Sequence, residues 1–432
     1  MEPHKFQALL VFGCTFCNGL VQTNVYAYIN EMVMDLGMSQ DRNATGTYVG
    51  ILASMFMLGR AFSSPIWGYL ADTIGRKASM QLSLFFVALF NLGFGLTSNY
   101  WVAVLMRLLL GLGSGISTIG KASATELGPK SYKADAMVWY TLGNNLGLTL
   151  GTALGGVMAH FERLVPELPT SLPYLWPNLV ISGLGFFVFI LLVCYFKETL
   201  VQSKENSHES SWSQYGTIIK MKEVQLLTLI LLINACMGTA MNELLPLWCW
   251  ADREHGGLDY STMQIGFAFS IASLVLIFFQ AMFYSALERS FGQVWLTKTS
   301  SLIRLPVVLM QVEVDQVGLT MEMTALVTMI CLYRLTYVVS ETSLFLLTNN
   351  AVPDNYRGKF NGLIMSINSA FRAFIPALFG IGFTWSLEGW GFPFDDHFMF
   401  YIIFIMALVQ WLLSQKLRRH MEVDFEDRSK LL

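Results

Sequence analysis

Charge is what this sequence has least of. Only 13% of its 432 residues are Asp, Glu, Lys or Arg, whereas an ordinary soluble domain carries about 25%. The net charge of −3 is close to neutral, and nothing in it points to nucleic acid as a partner. No phosphate-cradling loop is visible, so ATP is not expected to act directly. No nucleophile–base constellation is visible either, so enzymatic activity is not expected and no cofactor is implied. Histidines number six. His160, His255 and His397 fall near Glu162, Asp252 and Asp396, but no two lie at a spacing that fixes a metal site. Cysteines also number six. Cys14 and Cys17 form a C-x-x-C inside an apolar run, without the second pair or soluble context that zinc or redox chemistry needs, and are read as packing residues. No cleavable signal stands out, because the run after MEPHKFQ is too long for a signal h-region.

Apolar residues are abundant: 54% of the chain, with a mean hydropathy of +0.50. They recur in runs of roughly 20 residues, the length of a bilayer-crossing helix. The expected fold class is an all-α membrane protein with the bilayer as its solvent. Twelve spans are read at 7–34, 46–70, 78–97, 101–124, 136–160, 174–196, 224–250, 261–286, 293–312, 319–349, 360–386 and 397–416. The span at 293–312 is interrupted by Lys298, Arg304 and Pro306. A polar segment at 197–216 divides the spans six and six. This gives a first six-helix bundle at 1–197, a cytoplasmic linker at 198–222, a second bundle at 223–418 and a tail at 419–432.

Basic residues set the orientation. One side of the chain collects Arg76, Lys77, Lys130, Lys133, Lys197, Lys220, Arg289, Arg357, Lys416 and others, and the opposite side holds only Arg42, Arg163 and Arg253. Both termini are therefore expected in the cytoplasm. The sequon Asn43-Ala44-Thr45 then falls in the first outer loop, where Asn43 could carry a glycan. A monomer is expected.

The halves repeat. PKSYKADA (129–136) aligns with PDNYRGKF (353–360), and the same offset lays NNLGLTLGTALGG (144–156) over NSAFRAFIPALFG (368–380). Leu70 to Gly75 lies over Leu287 to Gly292, where the charges look worn, so a charged cluster there should be one-sided. Parallel six-helix halves are a transporter architecture, with a solute site near the midplane.

Several stretches carry a resemblance. GYLADTIGRK (68–77) is similar to the cytoplasmic loop motif of the major facilitator superfamily, RLLLGLGSG (107–115) to its span-four motif, and GLTLGTALGG (147–156) to the span-five motif of its proton antiporters, with Thr152 in place of the usual proline. FMLGRAFSSPIWGYLADTIGRK and NNAVPDNYRGKFNGL resemble the zinc-induced facilitator-like branch, near the drug:proton antiporters. The resemblance implies the major facilitator fold, two pseudo-symmetric six-helix bundles, and alternating-access transport of a small molecule or ion, with protons as the coupling partner.

In GYLADTIGRK, Gly68 and Gly75 let helix ends approach and turn. Asp72 can accept from a helix N-terminus in the other half, and Arg76 can pair with Glu126. These residues with Lys77 form either a gating cluster or a simple topology signal. Arg107 lies inside span four, where a charge costs about 2.5–3.5 kcal/mol on insertion scales. By resemblance it takes part in proton coupling, with no evident carboxylate partner; otherwise it is structural. Arg334 and Glu341 are seven apart on one face of span ten, either a static pair or a titrating one, and Glu341 reads as the only acid near the middle of a span.

The candidate solute cavity comprises Asn18, Gln22, Tyr26, Arg60, Asn144, Asn145, Asn234, Asn368 and Arg372; helix–helix bonding is the alternative for the amides. Gly147, Gly151, Gly155 and Gly156 form a small-residue stripe for close packing. A bend missing at Thr152 reappears at Pro376. DRSKLL at the end resembles an acidic dileucine signal, so the expected location is the plasma membrane or a vacuolar or endosomal membrane. Secondary active transport, most simply proton-coupled antiport, is the expected function. A uniporter or symporter, or a non-transporting membrane receptor or scaffold, is the alternative.

Overall fold

A computed structural model describes residues 3–127, 132–159, 172–199, 221–314, 319–352, 354–388 and 391–423. Most of the expected linker (200–220), the dileucine tail, and His160 with Glu162 lie outside the described residues. Among the described residues there is no strand, and helix occupies each of the twelve expected spans.

The helices are α1 (Pro3–Thr23), α2 (Ile29–Asp35), α3 (Gly46–Thr73), α4 (Arg76–Gly95), α5 (Tyr100–Gly113), α6 (Ile116–Glu126), α7 (Lys133–Met158) and α8 (Leu175–Tyr195). They continue with α9 (Lys222–Trp250), α10 (Thr262–Met282), α11 (Tyr284–Phe291), α12 (Gln293–Val312), α13 (Leu319–Asn350), α14 (Asp354–Ser386) and α15 (Phe398–Ser414). Nine helical stretches among the described residues are long and apolar enough to cross a membrane. The polar spans α7 and α12 are not among the nine, and α15 is apolar but shorter. Large apolar side chains such as Phe62, Ile66, Phe187, Ile190 and Phe278 stand on the outside, as a lipid-facing surface requires.

Two expected spans are broken. Span one runs through α1, a 3-10 segment (Asn24–Ala27) and α2. Span four stops at Gly113 and restarts at Ile116, at the glycine-rich end of RLLLGLGSG. Backbone groups freed inside a membrane need partners. Here Ser83 Oγ donates to the Gly113 carbonyl (2.7 Å) and accepts from the Gly115 N–H (2.8 Å). Trp67 Nε1 donates to the Leu112 carbonyl at 2.8 Å, and Ser63 Oγ to that of Gly111 at 3.3 Å.

The chain forms two compact units. The first is Met1–Gln202 with Glu243–Ser270 and Ala373–Glu388; the second is Ser203–Asn242, Ile271–Arg372 and Gly389–Leu432. In the first unit the glycine stripe of α7 lies along α1. A Cβ on Gly151 would stand 2.6 Å from the Leu20 carbonyl oxygen, and one on Gly143 would stand 2.5 Å from that of Phe12; Gly147 and Gly155 meet Phe16 and Asn24 in the same way. Thr23 Oγ1 crosses to the Leu148 carbonyl (2.7 Å), and Thr152, at the position of the family proline, donates to the Thr23 carbonyl (3.3 Å). Gly156 abuts Gly266 of α10. Gly50 of α3 lies against Pro376 of α14, and Ser54 Oγ accepts from the Ala377 N–H (2.9 Å). In the second unit Arg304 of α12 is buried. It donates to Asn234 Oδ1 (2.9 Å), Gln410 Oε1 (2.8 Å) and the Thr336 carbonyl (2.8 Å), so the charge that seemed to interrupt span nine is absorbed by hydrogen bonds.

Candidate functional site

The turn in GYLADTIGRK is made by Gly75, whose φ of +96° suits only glycine. Gly68 plays no comparable part, since an added Cβ would meet nothing nearer than 4.0 Å. Arg76 is the hub of a charged cluster. It reaches Glu126 at 3.0 Å and Asp72 at 2.6 Å. Asp72 was expected to serve a helix N-terminus in the other half, but its carboxylate is turned to Arg76, four residues on and across the Gly75 turn between α3 and α4. The carboxylate that does cap a helix is Glu198, which accepts from the backbone N–H of Arg76 (2.8 Å) and of Lys77 (3.1 Å). An anion there complements the α4 dipole. Thr199 Oγ1 donates to Glu126 (3.1 Å), and Lys77 Nζ to the Val193 carbonyl (3.2 Å). The first two residues of the expected linker are thus tied to this cluster.

The repeat copy is less worn than its letters suggest. Gly292 also has positive φ, +80°, and Glu422 accepts from the Val294 N–H at 2.7 Å. Glycine turn and carboxylate cap are present in both repeats; the ion-paired Arg76 is replaced by Gln293, so only the ion pair is one-sided.

The expected pairing of Arg334 with Glu341 is corrected. Arg334 donates to Ser273 Oγ at 2.5 Å. Glu341 accepts from the Tyr337 hydroxyl at 3.1 Å and lies in the field of Arg372 and Arg304. Arg372 in turn donates to Thr239 Oγ1 at 2.6 Å. Seven residues along a long helix, two side chains found different neighbours.

The cavity candidates separate. Arg60 donates to Gln22 Oε1 at 3.2 Å, and Tyr26 lies within electrostatic reach of Arg107. Asn144 and Asn145 are half-buried on α7, and Asn368 is 9% exposed on α14. Two amides are consumed by structure. Asn18 bonds Ser114 (2.7 Å) and Ser117 (3.3 Å) around the break in span four, and Asn234 serves Arg304. Asn43 is corrected as a glycan acceptor: its side chain is buried, and its Nδ2 donates to Asp252 Oδ2 (3.3 Å) and His255 Nδ1 (3.1 Å). Beside it Arg42 pairs with Asp259 and stacks over Trp250 at 4.5 Å.

Glu243 was missed. It is 2% exposed on α9 in the first unit, within reach of Arg107, itself 1% exposed. Glu341 is therefore not the only acid inside a span, and Arg107 has a carboxylate near it. The signal was an acid within an apolar run, MNELLPLW, overlooked because it lies toward the aromatic end. Asp395, Asp396 and His397 bring their ligand atoms within 4.8 Å of one another, which the Asp396–His397 ion pair at 3.2 Å explains.

Apolar spans, glycine seams and buried cations held by amides and hydroxyls define a polytopic helical membrane protein of the transporter type. The family model described as Major Facilitator Superfamily matches residues 11–376, and the chain belongs to that superfamily. It is 30% identical to Protein ZINC INDUCED FACILITATOR 1 of Arabidopsis thaliana, over 91% of this chain and 87% of that one. It is 29% identical to a probable peptide/nitrate transporter of the same plant, over 93% and 89%. Among solved structures, a D-xylose-proton symporter superposes with a TM-score of 0.77 at 13% identity, covering 97% of this chain and 99% of that one. The chain is an integral, multi-pass membrane transporter of a small solute.

Proposed function

We propose that the protein is a proton-coupled antiporter working by alternating access. The observation that carries this reading is Glu341, a carboxylate inside α13 held by Tyr337 and in the field of Arg372. Such a group, within a span and beside an arginine, is suited to gain and lose a proton as its surroundings change. Arg372 and Arg304 supply the opposing positive charge; Arg334 on the same helix and Arg107 in the first unit are the further arginines assigned to proton coupling. The cluster of Asp72, Arg76, Lys77, Glu126 and the Gly75 turn serves as a cytoplasmic-side latch that forms and releases during the cycle. Gln22, Tyr26, Arg60, Asn144, Asn145, Asn368 and Arg372 are the solute-facing candidates, and the excess of cations among them favours an anionic or zwitterionic solute. The bundles divide near 197 and 223, the termini face the cytoplasm, the unit is a monomer, and the membrane is the plasma membrane or a vacuolar or endosomal one.

The test is transport into proteoliposomes under an imposed pH gradient. The panel spans metal ions, metal chelates, nitrate, short peptides, organic anions and hydrophobic drugs, the first four prompted by the names of the relatives. Glu341→Gln should flatten the pH profile of the solute that moves; an unaltered profile removes Glu341 from coupling. Asp72→Asn and Arg107→Ala should each slow transport, and unchanged rates would contradict their roles.

A further inference from the structure

The first unit buries two opposite charges without pairing them. Neither carboxylate oxygen of Glu243 has a hydrogen-bond partner among the described residues, nor has Nε or Nη2 of Arg107. Arg107 instead faces the rings of Phe56 and Phe94, at 5.1 and 5.7 Å. The other groups in its field are Tyr26 and Tyr28 of the 3-10 segment and its end. Tyr28 is already engaged, its hydroxyl accepting from Asn178 Nδ2 at 2.9 Å. The nearby Pro246 carbonyl accepts from Asn30 Nδ2 at 3.2 Å. Arg107 is thus the charged group that faces Glu243.

An unpaired carboxylate cannot stay ionised at such depth. Leaving water as an ion is costly, and a carboxyl group escapes that cost by taking up a proton. The guanidinium has no such escape, which is why its spread charge lies over aromatic faces. We propose that Glu243 is a proton-binding site and that Arg107 sets when the proton leaves. With Glu243 protonated, the pair carries one positive charge. When the helices part and water arrives, the O–H bond breaks, the proton goes to water, and the carboxylate left behind is drawn to Arg107. Elsewhere in this unit Arg42 pairs with Asp259, Asn43 with Asp252 and His255, the Thr262 hydroxyl with Glu31, and Gly156 packs against Gly266.

This deepens the antiport reading and rests on it for the use made of the proton, but proton binding is tested without transport. Infrared spectra of the full chain in liposomes are recorded across pH for the wild type, Glu243→Gln, Glu341→Gln and Arg107→Gln. The carbonyl band of a protonated carboxylic acid should be present in the wild type, lose a component in Glu243→Gln, and keep that component in Glu341→Gln. In Arg107→Gln the component should persist to a pH about one unit higher or more, because an opposite charge has been removed. A band unchanged by Glu243→Gln overturns the proposal. Should that variant not fold, a hydrophobic carbodiimide is applied to the wild type and adducts are mapped by mass spectrometry. An adduct on Glu243 that declines as pH rises supports the proposal; no adduct there, with other intramembrane carboxyls modified, overturns it. A Glu243 signal without any pH-driven transport would sink the antiport reading and leave this one standing.

Discussion

Gly75 and Gly292 turn the chain with φ of +96° and +80° directly before helices whose first N–H groups meet a glutamate. Gly75→Ala should cost about 1–3 kcal/mol through backbone strain, and a Cβ would also press on the Glu198 carboxyl, at 2.9 Å from its carbon. Thermal unfolding in detergent should show the loss, and a midpoint equal to wild type would contradict it. Asp396 offers a test through pH. Burial pushes its carboxyl upward, but the hydrogen bond and charge of His397 outweigh this and hold it below the usual carboxylate range. A lowered folded-state value means the stabilisation is complete above the ordinary carboxylate value and is lost as pH falls through the folded one. Asp396→Asn should therefore lower the unfolding midpoint at neutral pH and converge with wild type in acid; a constant gap would refute the pairing. The Arg76–Glu126 bridge was legible in the sequence, because both ends are charges at the ends of apolar spans. Glu198 was not, since 122 residues separate it from Arg76 and no local pattern marks a carboxylate as a distant cap.

Single elements show how backbone freedom was traded for side-chain bonds. The break between α5 and α6 depends on Ser83, which satisfies a carbonyl on one side and an N–H on the other. Ser83→Ala leaves both with only each other, the Gly115 N–H to Gly113 carbonyl bond at 3.0 Å, and losing the two bonds to the hydroxyl should cost about 0.5–1.5 kcal/mol each. The variant should unfold at a lower temperature, and an unshifted midpoint would mean that other groups satisfy the break. The α1–α7 seam depends on absent side chains. Gly151→Leu should separate the helices, lowering yield and midpoint, while unchanged stability would show that the seam is not tightly packed. The glycine spacing was visible in the sequence, and so was the GLGSG that breaks span four. The identity of the partner helix was not visible, because the glycine stripe does not specify what lies against it. The same limit explains Arg334 and Glu341: helical periodicity placed them on one face, but neighbouring helices chose their contacts.

At the scale of the whole molecule, the twelve spans and the all-α class were legible because bilayer thickness fixes the length of apolar runs, and the superfamily because GYLADTIGRK and RLLLGLGSG resemble its motifs. The solute site was less so, since its residues come from several spans. Asn18 and Asn234, two of the amides expected to face solute, instead tie helices together, and Glu243 was overlooked. The central claim, that solute movement is driven by proton movement in the opposite direction, is met most directly by one measurement. Proteoliposomes with an acidic interior are given the solute panel, and solute content and internal pH are followed together. The account predicts that a solute accumulates above its external concentration while the interior turns alkaline only when that solute is supplied, and that a protonophore, by collapsing the pH gradient itself, abolishes the accumulation. A solute that only equilibrates, at a rate indifferent to the gradient, would contradict it.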